Sequence, residues 1–510
     1  MSRKFKMLAI PIIVMIIISL MAACSTQDNN GSGNTTVGSN GTQGEGYEGA
    51  LEPYKLTLAI PVYGAVPKDM EEVQAEINKI TQAEINTTIT ILPISVGAWS
   101  QQLNLMISGG EKLDLFFTFG QSYGTDVAQG RLAALDEVLE KYGQGVVEAV
   151  GERNLEAARI NGSLYGVPVT GVYGKRPEIA LRKDMVEKYN IDVASINSLD
   201  DLESVFENIK KNEPNIYPLA SGLASPLQYY RTYDRLGDSL GVLMGYDNGL
   251  KVENYYESAE YEELLNLMNE WYKKGFINKD AATTQSTPDA LIKSGKAFSA
   301  MIVGEPGSDA VATRLMGHDM VVAPLMEETH KTTSDVLTGL YVIAQQSENP
   351  ERAMMMLNLM YTNRELANLL VWGIEGKHYV KVSETQVTYP EGVDASNVGY
   401  QMQAWIMGNP LITYVSSTQS PDHWEQVKKW NEEAIESKAL GFFFDATPVK
   451  NELTAINNVI ERYQAILESG TVSPTDKLDE FRKALKAAGV DKYMAEKQRQ
   501  LDEWAAANNK

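Results

Sequence analysis

Between residues 55 and 142 strand-like and helix-like periods alternate three times, which restricts the possible folds more than any other feature of the chain. Leu56-Thr57-Leu58-Ala59-Ile60 reads as a strand, and Pro67 opens a helix with apolar positions at Met70, Val73, Ile77 and Ile80. Thr88-Ile89-Thr90-Ile91-Leu92 is a second strand. Ser100 is placed to cap a helix over 101–108 that stops at Gly109-Gly110. Leu113-Asp114-Leu115-Phe116-Phe117-Thr118-Phe119 is a third, buried strand, and 132–142 a third helix. The βαβαβα order predicts a parallel sheet covered by helices. Ligands of such sheets sit beyond the carboxyl ends of the strands. The loops there hold Tyr63-Gly64, Gly97-Ala98-Trp99 and Gly120-Gln121-Ser122-Tyr123, so Tyr63, Trp99 and Tyr123 are candidate contacts.

The N-terminus says where the chain works. Arg3, Lys4 and Lys6 precede an apolar run over 7–22, then Leu20-Met21-Ala22-Ala23-Cys24. This is the pattern of a secretory leader ending at the sole cysteine, which predicts cleavage and diacylglyceryl modification of Cys24. Two acyl chains suffice for stable anchoring. Residues 25–50 are rich in Gly, Ser, Thr and Asn and read as a flexible tether.

Losing 1–23 removes three positive charges and no acid, so the mature chain is more acidic still than the −22 of the whole. That balance excludes a nucleic-acid partner, which needs a basic face. With Cys24 modified the body can form no disulfide. The four histidines at 318, 330, 378 and 423 lie far apart, so no Cys/His metal site and no cofactor is expected.

A second α/β region follows the turn at Asn161-Gly162 and the short strand ending at Pro168. Helices are expected from Asp184, after Ser198 and over 261–274, and strands at 296–303 and 321–324. Asn349-Pro350 and Thr362 start two more helices. From Asp422 the chain is mainly helical, with a charged amphipathic helix over 480–508.

Several stretches resemble one family, the lipid-anchored extracellular solute-binding proteins of ABC importers, family 1 (carbohydrate) type. Within it the chain is similar to the large Gram-positive members that carry an additional C-terminal domain. The residues are Arg182-Lys183-Asp184, Trp271-Tyr272-Lys273-Lys274-Gly275-Phe276-Ile277-Asn278, Asn349-Pro350-Glu351-Arg352-Ala353 and Trp372-Gly373-Ile374-Glu375-Gly376. Gly441-Phe442-Phe443-Phe444-Asp445 and Gln498-Arg499-Gln500-Leu501-Asp502-Glu503-Trp504 complete the set. The resemblance implies an α/β, two-lobe periplasmic-binding-protein-like (type II) fold with hinge crossings near Val167-Pro168, Val321-Pro324 and Tyr379. The expected layout is a leader at 1–23, a tether at 24–50, one lobe from 51–168 and 325–378, the other from 169–324 and 379–440, and a helical extension at 441–510 packed on a lobe. It further implies a monomer that does no chemistry, binds a carbohydrate in the cleft, and hands it to a membrane permease.

A sugar offers apolar C–H faces to flat aromatics and a polar edge to fixed hydrogen-bonding groups. On that ground Trp372, Glu375 beside it, Trp405 in an irregular stretch, and Tyr230 and Arg231 in the Tyr229-Tyr230-Arg231-Thr232-Tyr233-Asp234 cluster join the candidates. Trp271 and the Met354-Met355-Met356 run have helical spacing with Leu264, Leu267, Met268 and Leu359, and read as core. No Gly-x-Ser-x-Gly, His-Glu-x-x-His or phosphate-binding glycine loop occurs. A secreted hydrolase or lyase, which needs only two carboxylates, is the runner-up. A peptide-binding or sensory lipoprotein of the same fold is the third reading.

Overall fold

The computed structural model describes residues 51–510; the expected leader, Cys24 and tether lie outside them. β1 (Tyr54–Val62) pairs in parallel with β2 (Thr87–Ser95) on one side and β3 (Leu115–Phe119) on the other. Its residues from Leu56 onward are all buried, as expected of an interior strand covered on both faces. α1 (Met70–Ile85) returns the chain with Met70, Val73 and Ile77 turned inward, and α2 (Trp99–Gly109) does so with Trp99, Leu103 and Met106. β3 runs directly into α3 (Gly120–Ala128), where a loop was expected. β4 (Gly166–Pro168) is the last strand before the chain leaves this lobe.

The second lobe is built on β5 (Arg176–Arg182), β6 (Tyr217–Leu219), α4 (Ala259–Lys273), β7 (Ala297–Gly304) and β8 (Met320–Pro324). Its sheet order is β8-β5-β7-β6, with β5 antiparallel to both neighbours and β6 parallel to β7. The chain then returns through β9 (His330–Lys331) to β10 (Gly339–Ile343), which inserts antiparallel between β3 and β4 and completes the order β2-β1-β3-β10-β4.

α5 (Pro350–Thr362) and α6 (Arg364–Trp372) cover the first lobe. Met354, Met355 and Met356 are core here, as Trp271 is in the second lobe. The stretch Asn349-Pro350-Glu351-Arg352 has a structural role. Pro350 starts the helix under the Asn349 cap, and the buried guanidinium donates to the carbonyls of Glu52, Ile85 and Asn86 at 2.8–3.2 Å. A cation there also complements the carboxyl end of α1.

Residues 379–416 depart from the expected layout. Tyr400, Met402, Ile406 and Met407 belong to the first lobe's core, and the Tyr400 hydroxyl donates to the Leu370 carbonyl at 2.9 Å. The expected crossing near Tyr379 is therefore replaced by a later one. After α7 (His423–Glu433), β11 (Ile435–Glu436) runs beside β9, and β9 is bridged to Lys175. Three segments, 169–175, 325–338 and 434–440, thus pass between the lobes side by side. α8 (Lys450–Glu468), α9 (Pro474–Ala487) and α10 (Val490–Ala507) close the chain, the last two separated at Gly489, where φ is +96°. Their buried faces join the second lobe's core. Among the described residues no helix is long and apolar enough to cross a membrane.

Candidate functional site

The edges of the two sheets that face each other are set by where the crossings attach. Gly339, the first residue of β10, is opposite Phe119, the last of β3, and Leu340 is opposite Pro168, the last of β4. The carboxyl ends of β1 to β3 therefore point the same way as the crossings, toward the second lobe. In that lobe Gly304, the end of β7, is opposite Arg176, and β6 runs parallel to β7. The loops after β6 and β7 accordingly face the first lobe, and a cleft between the two edges follows from connectivity alone.

On the first lobe's edge Tyr63 and Trp405 lie together, with ring centroids 5.7 Å apart and planes tilted by 57°. They stay 47% and 38% exposed, unusual for large aromatics on a well-packed lobe, so their faces are available to a solute. Trp405 rests on buried Phe117 (6.1 Å), which contacts Phe119 (5.0 Å) and Tyr341 (5.8 Å) edge to face. The loop carrying Trp405 is fixed from three sides. The Tyr341 hydroxyl donates to the Ile406 carbonyl (2.8 Å), the Thr170 amide to the Gly408 carbonyl (3.0 Å), and Asn409 donates to the Tyr361 carbonyl (2.8 Å) while accepting from the Thr170 hydroxyl (2.6 Å). Gly408, at φ +72°, lets the turn close against Met360.

On the facing edge the loop 220–232 after β6 carries half-buried Tyr229, Tyr230 and Arg231, and exposed Leu223. Among the described residues the Arg231 guanidinium makes no hydrogen bond or ion pair, though the Tyr246 hydroxyl donates to its carbonyl at 3.2 Å. Burial, then the nearby Arg235, pushes its pKa down. Asp335, within the second crossing and four residues before β10, is the carboxylate whose charge acts on it; burial pushes that carboxyl up, against hydrogen bonds from the Thr332 amide (3.0 Å) and hydroxyl (2.6 Å).

The crossings are tightly registered. Lys175 and His330 exchange backbone hydrogen bonds of 2.8 and 2.9 Å, and Ser437 donates to the Lys331 carbonyl at 2.9 Å. Glu436 pairs with both Lys331 and Arg153 at 2.9 Å. α7 clamps the first crossing, with the Trp430 indole N–H donating to the Gly174 carbonyl at 2.7 Å and Asn431 to that of Gly171 at 2.7 Å. His330 stacks on Tyr246 at 3.8 Å, and burial lowers the pKa of both His330 and His423.

The remaining expected contacts lie elsewhere. Tyr123 is fully buried within α3, its hydroxyl donating to the Ala158 carbonyl at 2.6 Å and accepting from the Tyr165 amide at 3.2 Å, so it is a core residue. Trp99 is the first residue of α2 rather than part of a loop, and its ring turns into the core. Trp372 donates from its indole to the Tyr414 carbonyl (2.9 Å), and Glu375 pairs with Lys381 (2.8 Å). Glu375 lines a groove of about 530 Å³ with Glu76 and Lys79 of α1, on the flank of the helix away from the sheet. Phe117 and Phe119 were missed as the base of the aromatic pair; the Phe116-Phe117-Thr118-Phe119 run at a strand exit was the available signal. Tyr229 and Leu223 carried no signal beyond their neighbours. Among the described residues no cluster of three or more His, Cys, Asp or Glu is placed to hold a metal.

The comparisons agree with this geometry. Residues 64–367 match the family described as Bacterial extracellular solute-binding protein, and 438–506 match a domain of unknown function, DUF3502. A "Carbohydrate ABC transporter substrate-binding protein" of Streptococcus pneumoniae is 28% identical over 494 residues, 96% of each chain. The crystal structure of the N-glycan transport solute binding protein (NgtS) from S. pneumoniae, 28% identical, superposes with a TM-score of 0.80 over 90% of this chain and 100% of that one. The same protein in complex with Man1GlcNAc gives 0.70 over 88% and 99%. An HMO binding solute binding protein from Bifidobacterium longum infantis shares the fold at 15% identity, with a TM-score of 0.61 over 89% of this chain and 99% of the other. With its two lobes, its crossings and a family match over more than half its length, the chain belongs to the bacterial extracellular solute-binding proteins, which bind solutes and do not transform them.

Proposed function

We propose that this protein is the receptor of an ABC importer, capturing an oligosaccharide between its lobes and delivering it to the permease from the outer face of the membrane, where lipid on Cys24 holds it. The reading is supported by the named activity of the S. pneumoniae relatives. It is carried by the Tyr63–Trp405 pair, two exposed rings on a rigid base at the cleft edge. Such rings offer faces for the C–H sides of sugar rings. Tyr229, Tyr230 and Arg231 on the opposite edge supply polar groups that reach the same solute only when the lobes close. Because the solute touches both edges only in the closed form, its binding favours that form, which the permease then reads. The acidic chain keeps the body off an anionic membrane while it searches.

Titration calorimetry with mannose–N-acetylglucosamine oligosaccharides, with chromatography of the recovered sugar, tests the reading. Saturable binding with unchanged sugar is the expected result. No binding to any oligosaccharide of a broad panel contradicts the substrate class, and cleaved sugar contradicts the receptor role. For the anchor, Cys24→Ala is expected to release the protein from the membrane fraction.

A further inference from the structure

We propose that the C-terminal helices, matched to a domain with no assigned function, act as a brace that positions the second lobe's cleft loop, with Glu468 and Ser225 as the positioning residues. This rests on the reading of 220–232 as the solute-facing loop. Glu468, at the end of α8, is almost fully buried, yet it lies inside the second lobe instead of on the surface of its own helix. There it accepts a hydrogen bond from the hydroxyl of Ser225, the residue that precedes the turn leading to Tyr229, Tyr230 and Arg231. Its other donors are Gln464 (2.9 Å) and Tyr261 (3.4 Å), so the carboxylate is oriented before it meets the loop. A buried acid without a cation as its direct partner is costly, and such a group persists where its hydrogen bonds fix a conformation.

The far end of the loop is tied to the same helices by rings. Phe481 of α9 contacts Tyr256 (5.1 Å), Tyr256 contacts Tyr261 (5.2 Å), Tyr261 contacts Tyr255 (4.8 Å), and Tyr255 contacts Tyr233 (4.4 Å). Tyr233 follows Arg231 by two residues, and Thr232 between them donates to Glu260 of α4. Both ends of 225–233 are therefore set from the extension, while residues 228–232 between them remain half-buried. The brace is seated closely: at Gly470, φ +73°, a Cβ would stand 2.1 Å from the Met268 carbonyl oxygen, and Asn269 donates to the Gly470 carbonyl at 2.7 Å.

The test compares Ser225→Ala, Glu468→Met and Glu468→Gln in the full chain, by amide exchange without sugar and by calorimetry with the mannose–N-acetylglucosamine disaccharide. Gln keeps the contact, because the Ser225 hydroxyl turns to accept from the new amide. Ser225→Ala and Glu468→Met are expected to speed exchange in peptides over 222–232 while sparing those over β5 and β7. If the loop is then correctly placed about one-tenth of the time, affinity falls about tenfold. Glu468→Gln is expected to restore both. Unchanged exchange over 222–232 in Ser225→Ala and Glu468→Met overturns the proposal. So does faster exchange throughout the second lobe with no rescue by Gln, which is the mark of a purely structural residue. If the native protein binds no saccharide, the proposed function fails while the exchange arm still decides the brace.

Discussion

The two lobes reach similar architectures by different means. The first builds its core almost wholly from its own strands and helices, with 400–407 folded back onto it and only Phe443 of the extension set against Tyr123, and presents a platform of rings packed tilted or edge to face. The second has a core that includes Val449, Ile456, Tyr463, Leu467, Leu478, Phe481, Leu485, Val490 and Tyr493, all from the C-terminal extension or its approach. Its cleft edge is a loop, held from behind. One half of the site is thus built rigid, and the other is made rigid by an appended element. An added domain can alter the shape of a binding site without contributing a residue to it.

The sharpest way to break this contrast is to end the chain at residue 440. A fully buried apolar side chain is worth about 1.5–3 kcal/mol. Nine of them match or outweigh the about 5–15 kcal/mol on which a domain stands. Calorimetry is expected to show the second lobe's transition lost and the first lobe's retained; loss of both would mean the lobes do not fold separately. Arg352→Met probes the first lobe's own stitch. It removes the charged donor shared by the Glu52, Ile85 and Asn86 carbonyls and the Thr87 hydroxyl, and a loss of about 3 kcal/mol in denaturant unfolding is expected.

Tyr63→Ala and Trp405→Ala are each expected to cost about 2–3 kcal/mol of oligosaccharide affinity by calorimetry, the size of an interface hot spot, with unfolding little changed. Equal losses from Trp99→Phe would contradict the placement of that ring in the core. In the second lobe Lys497 is fully buried, donating to Asp238 (2.8 Å) and the Gly241 carbonyl (3.2 Å), and burial lowers its pKa. Lys497→Met is expected to destabilise by about 2 kcal/mol, because Asp238, itself partly exposed, loses its cation.

The smallest effect concerns pH at the crossings. Burial depresses the pKa of His330 and His423 below the 6.5 of a free histidine, so the unfolded chain binds more protons than the folded one just below that value. Their contribution is therefore full above pH 6.5 and is lost as pH falls through the lower folded-state pKa. Buried acids such as Asp335 and Glu468, whose pKa is raised, change stability in the opposite direction. The readout is thus the difference between the native protein and a His330→Gln, His423→Gln variant, whose unfolding midpoint is expected to fall less between pH 7 and 5.5.

Much of the fold was legible because hydrophobic period reports burial directly. β1 to β3, β7, α4 and α5 lie where alternation or 3.6-residue spacing put them. The site was legible only in part, since a glycine beside an aromatic has two causes. At Tyr63-Gly64 the glycine opens onto free space, and the ring beside it is exposed. At Gly120 and Gly124 the same signal comes from tight packing: a Cβ would strike the Leu337 carbonyl oxygen at 1.8 Å and the Phe443 ring at 2.0 Å. Tyr123 was misread for that reason. The third crossing was misplaced because its strand is two residues long, too short for any periodicity. Glu468 lay hidden in a charged helix, where nothing distinguishes a buried acid from its solvated neighbours.

Small-angle scattering of the native protein, titrated with an oligosaccharide to the saturation defined by calorimetry, tests the clamping of a solute between these edges most directly. The radius of gyration is expected to fall as sugar fills the cleft, and to stay constant for Trp405→Ala at the same sugar concentration. A native curve that does not change while calorimetry reports full occupancy would contradict the account.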